Sequence, residues 1–276
     1  MSISAADVKK LRDVTGAGMM DCKKALSEAN GDMEAAIEYL RKKGQKVAEK
    51  RADRDAKQGL IAVHLSDDGK KAAAVELNCE TDFVARNEEF IQNAEAFAKL
   101  AFDQNVATAD AIRGLAFESG TVAGQLETLV GKIGEKIDIS RVVLLQTEGQ
   151  IVSYIHPGSQ LAVLVDFEGP LKNAEVGKDV AMQVAAMSPI ATRREEVDGS
   201  VLEKEREIAV EQLINEGKPE EIARKAAEGK IRRFYEERVL LEQKFVKDNS
   251  LSVAQYLKQE GEPAVKSFSR IQLGEH

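Results

Sequence analysis

Apolar positions along the chain change period several times, and the changes mark its elements. In the first 44 residues Val8 and Leu11, then Met19, Cys22, Ala25 and Leu26, then Met33, Ala36, Ile37 and Leu40 recur three and four apart. That spacing predicts three short helices. Ser4 followed by Asp7 reads as a capped helix start, and Thr15-Gly-Ala-Gly18 and Asn30-Gly31-Asp32 read as turns. Gly44 sits where the third helix is expected to end. From Gly59 the period shortens to two. Gly59–Leu65 and Ala72–Asn78, joined by Asp67-Asp68-Gly69, predict a β-hairpin. Asn87-Glu88-Glu89 predicts a helix N-terminus, with Phe90, Ala94, Phe97 and Ala101 on one face. Further helical segments are expected near 106–117 and 118–134, and a strand over Ile137–Thr147.

The second half follows a similar order. Gln150–Ile155 and Leu161–Phe167 predict a hairpin around His156-Pro157-Gly158, followed by a helix over Asn173–Met187. A short helix, Val253–Gln259, and a strand, Val265–Leu273, close the chain. Between them, residues 192–247 hold 13 Lys/Arg and 14 Asp/Glu. Glu203–Glu216 and Glu220–Lys247 have helical patterns joined by Gly217-Lys218-Pro219, and Ala223, Ala227, Ile231, Phe234, Leu241 and Phe245 give a narrow seam. This predicts a charged antiparallel helical hairpin, either packed on the body or offered as a handle for self-association or a partner. The fold class expected is α+β. The expected units are residues 1–53 (three helices and a basic linker), 54–147 and 148–276, the last carrying the hairpin at about 192–240 and a terminal module at about 248–276.

Length and charge narrow the function. The chain has 276 residues, 43% hydrophobic and 31% charged, with net charge −8; that is about two domains' worth. The acidic balance argues against a whole-molecule nucleic-acid binder, since neutralising phosphates needs a basic excess. The local exception is 41–58, with eight Lys/Arg against Glu49, Asp53 and Asp55; it reads as a solvated linker or helix end, with a weak anionic contact as the alternative. The apolar runs Val142–Leu145 and Leu161–Val165 are strand-sized, far below the ~20 residues of a membrane span. Met1–Leu11 lacks the apolar stretch of a secretory signal. Cys22 and Cys79 lie far apart in no metal spacing and read as buried small hydrophobes. Such cysteine usage suits a reducing cytosol, so a cytoplasmic location and no membrane partner are expected.

Catalytic motifs are missing. No Gly-x-x-x-x-Gly-Lys-Ser/Thr, Gly-x-Ser-x-Gly, His-Glu-x-x-His or Cys-x-x-Cys run occurs. Of three histidines, His276 is terminal, His64 falls in a strand pattern as a structural imidazole, and His156 sits at a hairpin turn where it can meet a partner. No enzyme activity, cofactor or metal site is expected. One segment breaks the pattern: Glu76-Leu-Asn-Cys-Glu-Thr-Asp-Phe-Val-Ala-Arg-Asn87 runs from a strand end to a helix start and carries Thr81, Asp82 and Phe83 between them. Composition favours a Phe83 ring folded back into the core. The alternative is an aromatic wedge presented beside a carboxylate, and spacing does not choose.

Two runs carry a resemblance, Leu11-Arg-Asp-Val-Thr-Gly-Ala-Gly-Met-Met-Asp-Cys-Lys-Lys-Ala-Leu26 and Glu76-Leu-Asn-Cys-Glu-Thr-Asp-Phe-Val-Ala-Arg86, with Leu240-Leu-Glu-Gln-Lys-Phe-Val-Lys-Asp248 in support. The sequence resembles the elongation factor Ts family, nucleotide exchange factors for the translational GTPase elongation factor Tu. The resemblance implies a ubiquitin-associated-like three-helix module, a two-subdomain core with small antiparallel sheets, an inserted helical hairpin and a C-terminal helical module. It implies a partner, elongation factor Tu, in its GDP and nucleotide-free forms. Thr81, Asp82, Phe83 and Val84 match the segment that intrudes on the partner's Mg²⁺ side. Arg12, Met19 and Met20 match positions touching a helix of its GTPase domain, with at least one of the two methionines assigned to the three-helix core. His156 resembles a second-subdomain contact. Direct nucleic-acid binding is not implied, and a homodimer or a heterotetramer with the partner is compatible. The competing readings are a ribosome- or RNA-associated scaffold and a plain adaptor.

Overall fold

The computed structural model describes residues 3–275, so the terminal His276 lies outside the described residues. Three helices come first: α1 (Ala5–Thr15), α2 (Met19–Glu28) and α3 (Met33–Arg51). Ser4 and Asp7 form a reciprocal capping box, and Asp32 caps α3 through Ala35 N–H. Val8, Leu11, Cys22, Ala25, Leu26 and Ala36 make the buried centre of this bundle.

The next stretch holds β1 (Gln58–Leu65), β2 (Lys71–Cys79), α4 (Asp82–Ala85), α5 (Glu88–Gln104), α6 (Ala109–Arg113), β3 (Ala116–Phe117), β4 (Gly120–Thr121), α7 (Val122–Ile133) and β5 (Ile137–Gln146). The second half holds β6 (Gln150–Ile155), β7 (Leu161–Phe167), α8 (Ala174–Met187), α9 (Gly199–Asn215), α10 (Glu220–Arg238), β8 (Lys244–Phe245), β9 (Asp248–Ser252), α11 (Val253–Gln259) and β10 (Val265–Gln272). The fold is α+β, with small antiparallel sheets. The main sheets run β1-β2-β5 and β10-β7-β6. Each is a hairpin whose second strand is the centre and whose third strand arrives after intervening helices, so the two halves share one topology.

Alternation along the central strands explains how the sheets pack. Ala73, Val75, Leu77 and Cys79 of β2 face the core that includes Phe90 and Phe97 of α5 and Leu129 of α7. Val163, Val165 and Phe167 of β7 face α8 and α11. The opposite faces meet each other: Ile61, Ala72 and Ala74 pack against Ile151, Ala162, Leu164 and Ile271. The sheets are thus back to back with helices outside, and alanines at the junction let them approach closely. That is why both central strands read as nearly unbroken apolar runs.

Several expectations change. Helix α3 does not stop at Gly44 but continues through the basic stretch to Arg51. Gly44 is instead where α3 crosses α7: a Cβ there would lie 2.9 Å from the Glu127 carbonyl oxygen, and a Cβ on Gly131 2.7 Å from the Gly44 Cα. The expected helices near 106–117 and 118–134 shrink to α6 and α7, because Thr108 and Thr121 cap new starts and the β3–β4 hairpin separates them. Helix α10 ends at Arg238, not Lys247. Val239 turns extended, Leu240 N–H bonds the Ala191 carbonyl, and Phe245 stacks on Tyr256 at 4.1 Å between ring centres. Pairing with the body here overrides helical propensity. The seam of the α9–α10 hairpin is Ala209, Leu213, Ala223 and Ala227.

Gly44→Ala tests the crossing. Propensity alone predicts a gain of about 1 kcal/mol in a helix interior. The crowded carbonyl predicts a net loss of about 1–3 kcal/mol, read as a lower urea midpoint. A raised midpoint would show that the helices do not cross this closely.

Candidate partner-binding site

Phe83 is 82% exposed. The expectation that composition favoured, a ring folded into the core, is therefore wrong. The cause is local geometry. Strand β2 ends at Cys79, and α5 is capped by Asn87, whose side-chain oxygen accepts from Glu89 and Phe90 N–H. The intervening residues make the single helical turn α4. Val84 and Ala85 lean on the core beneath. Phe83 points the other way and is in no aromatic or cation–π pair among the described residues. Asp82 accepts from Arg86 at 3.0 Å, an exposed pair four residues apart that contributes little stability.

The base of this turn is densely hydrogen-bonded. Glu135, between α7 and β5, accepts from Glu80 N–H at 3.1 Å, Thr81 N–H at 3.0 Å and the Thr81 hydroxyl at 2.7 Å. Glu80 accepts from Lys136 N–H at 2.7 Å and from Arg51 at 2.6 Å. The Lys136 N–H, with Arg51 and Arg54 adding to it, holds the Glu80 carboxyl below the ordinary carboxylate range against mild desolvation. Cys79 donates to the Thr81 carbonyl at 3.1 Å. Burial, with the Glu135 charge beside it, pushes its thiol up to about 12. It is a packing residue, not a nucleophile. Cys22 and Cys79 are both buried and unbridged.

Further back on β2, Glu76 is buried. It accepts from Asn78 at 3.1 Å, Arg141 at 2.8 Å and Gly274 N–H at 2.9 Å, while Arg141 also donates to the Gln272 carbonyl. Burial would raise its pKa, but the bonds from Gly274, Asn78 and Arg141 outweigh it and the carboxyl is lowered. This cluster fastens the first sheet to the end of the second.

The other candidates lie apart from Phe83 in sequence. Arg12 is exposed on α1, and Met19 and Met20 are 58% and 75% exposed at the start of α2. Neither methionine belongs to the bundle centre, contrary to expectation. Helical side chains lean toward the N-terminus, so first-turn residues project off the end of the bundle. His156 lies exposed in the β6–β7 turn with Nδ1 3.0 Å from the Tyr154 hydroxyl. It lines a shallow cleft of about 380 Å³ with Lys57 and Gln58. Gln58 pairs with Cys79 across the first sheet, so His156 lies at the sheet end from which α4 departs. A cavity of about 900 Å³ between the bundle and α5, α7 and the β3–β4 hairpin includes none of these residues. His64 packs edge-on against Phe102 at 4.7 Å. The basic residues of 41–58 are largely paired, as in Lys42–Glu38, Lys43–Asp21 and Arg51–Glu80. Among the described residues no three His, Cys, Asp or Glu side chains converge on a metal position, and no helix is long and apolar enough to cross a membrane. The roles of Glu135 and Glu76 carried no signal in the sequence, because, Asn78 apart, their partners lie 54 residues or more away.

Fold and site together define a protein that presents an aromatic ring on a braced turn. The family described as Elongation factor TS matches residues 80–275. The chain is 49% identical to Elongation factor Ts of Prosthecochloris aestuarii and 47% to that of Aquifex aeolicus, with 99% of each chain covered in both. It is 48% identical to that of Amoebophilus asiaticus, over 99% of this chain and all of the relative. The chain belongs to the elongation factor Ts family, and membership implies nucleotide exchange on elongation factor Tu in translation elongation.

Glu76→Gln keeps the shape of the buried cluster and removes its charge. A carboxyl whose folded pKa is lowered stabilises fully above its unfolded value and loses that contribution as pH falls through the folded one. The variant should be less stable than the natural chain at neutral pH, with the gap closing on acidification in urea titrations. A gap independent of pH contradicts this.

Proposed function

We propose that the chain binds elongation factor Tu in its GDP and nucleotide-free forms and speeds GDP release by inserting the Thr81–Val84 segment beside the Mg²⁺ site. The observation that carries the reading is the 82% exposure of Phe83 on a turn whose neighbours Val84 and Ala85 are anchored. Such a ring is available to fill a pocket, where a buried aromatic anchor contributes about 2 kcal/mol or more. Asp82 brings negative charge and acceptor oxygens toward the metal, which weakens the counter-charge holding the diphosphate. Breaking its exposed pair with Arg86 costs little. Arg12, Met19 and Met20 supply a second contact, since Met is a pliable interface residue and Arg a frequent anchor. His156, at the same sheet end as the turn, supplies a third. No covalent bond changes. The work is a coupling free energy, so nucleotide weakens factor binding as much as the factor weakens nucleotide.

Stopped-flow release of a fluorescent GDP from elongation factor Tu tests this. With no buried area at stake, Phe83→Ala should shift folding stability by under about 0.5 kcal/mol. It should slow release at sub-saturating factor about 10- to 30-fold. Asp82→Ala should slow it less, by an amount that varies with Mg²⁺ concentration. Natural release rates from folded Phe83→Ala would remove the wedge, and an Asp82→Ala effect indifferent to Mg²⁺ would remove the metal role.

A further inference from the structure

The ring of Phe83 is 82% exposed and is in no aromatic or cation–π pair among the described residues, so its position is set by the backbone on which it stands. That backbone is a four-residue turn, α4, too short to be stable by its own hydrogen bonds. Its N-cap residue, Thr81, makes no side-chain cap bond. The hydroxyl is committed elsewhere, donating to Glu135. Two carboxylates exchange roles across the gap between β2 and β5: Glu135 satisfies the amides of Glu80 and Thr81, and Glu80 satisfies the amide of Lys136. Lys136 adds bonds from its ammonium to the carbonyls of Ala52 and Arg54. Charge-assisted bonds of this kind are roughly twice as strong as neutral ones.

We propose that Glu135 is a positioning residue for the exchange turn, holding the Glu80–Thr81 backbone so that Phe83 is presented in one orientation before the partner arrives. This rests on the reading of Phe83 as the inserted group. Without Glu135 two amides and a hydroxyl turn to water, the turn samples other conformations, and its ordering is charged against binding. On this proposal Glu135 acts through Phe83 and not by its own contact with partner or nucleotide.

That route makes a test that separates positioning from general support of the fold. Glu135→Ala should raise hydrogen exchange at the Glu80 and Thr81 amides while the amides of β1, β6 and β7 stay protected. It should slow GDP release at sub-saturating factor about tenfold. Glu135→Gln offers an oxygen to the two amides and an N–H to the Thr81 hydroxyl, so it should restore most of the rate. Thr81→Val removes the hydroxyl bond alone and should give a smaller loss in the same direction. In a Phe83→Ala background, Glu135→Ala should slow release little further. Equal slowing in both backgrounds, or a natural rate for Glu135→Ala where Phe83→Ala is slow, overturns the positioning role. A natural rate for Phe83→Ala overturns instead the reading on which it rests.

Discussion

A phenyl ring standing in water is an unfavourable arrangement. Burying it would return about 1.5–3 kcal/mol, and the chain has a large core within reach of the same turn. Phe83 stays out because the next two residues, Val84 and Ala85, take the inward positions. The backbone beneath is meanwhile held by acceptors that it cannot leave without exposing unpaired amides. The rest of the molecule supplies that constraint. Acidic side chains carry much of it: Glu135 and Glu80 at the turn, and Glu76 further back on the same strand.

The back-to-back sheets give the turn a rigid support. Strand β2 is sandwiched between α5 and α7 on one face and the second sheet on the other. Glu76 and Arg141 extend that packing to the segment after β10. The last residue of β2 pairs with the first of β1, and the His156 cleft begins there. The two halves of the chain thus meet at the sheet end where the aromatic is offered.

Local signals in the sequence were reliable where local chemistry decides structure. Both hairpins, the Ser4–Asp7 capping box, the Asn87 cap, and the helices starting at Asn173 and Val253 all follow from turn residues and caps within four positions. Long-range choices were not legible. Whether Gly44 ends a helix or admits a crossing depends on Gly131. Where α10 stops depends on Ala191 pairing with Leu240 and Val239. The site shows the same division. The segment 81–84 stood out as the one stretch without a bland period, but the acceptor that holds the Thr81 backbone amide, Glu135, lies 54 residues beyond it. Met19 matched a core spacing, yet its place in the first turn of α2 takes it, like Met20, off the bundle.

The chain contains no tryptophan, so Phe83→Trp places a single indole at the position in question. The free protein should show the red-shifted, readily quenched emission of an indole in water. Adding elongation factor Tu with GDP should shift the emission to the blue and shield it from acrylamide, measured against the same mixture made with the natural chain. An indole that remains equally quenchable in a complex formed at full occupancy would contradict insertion of this side chain into the partner.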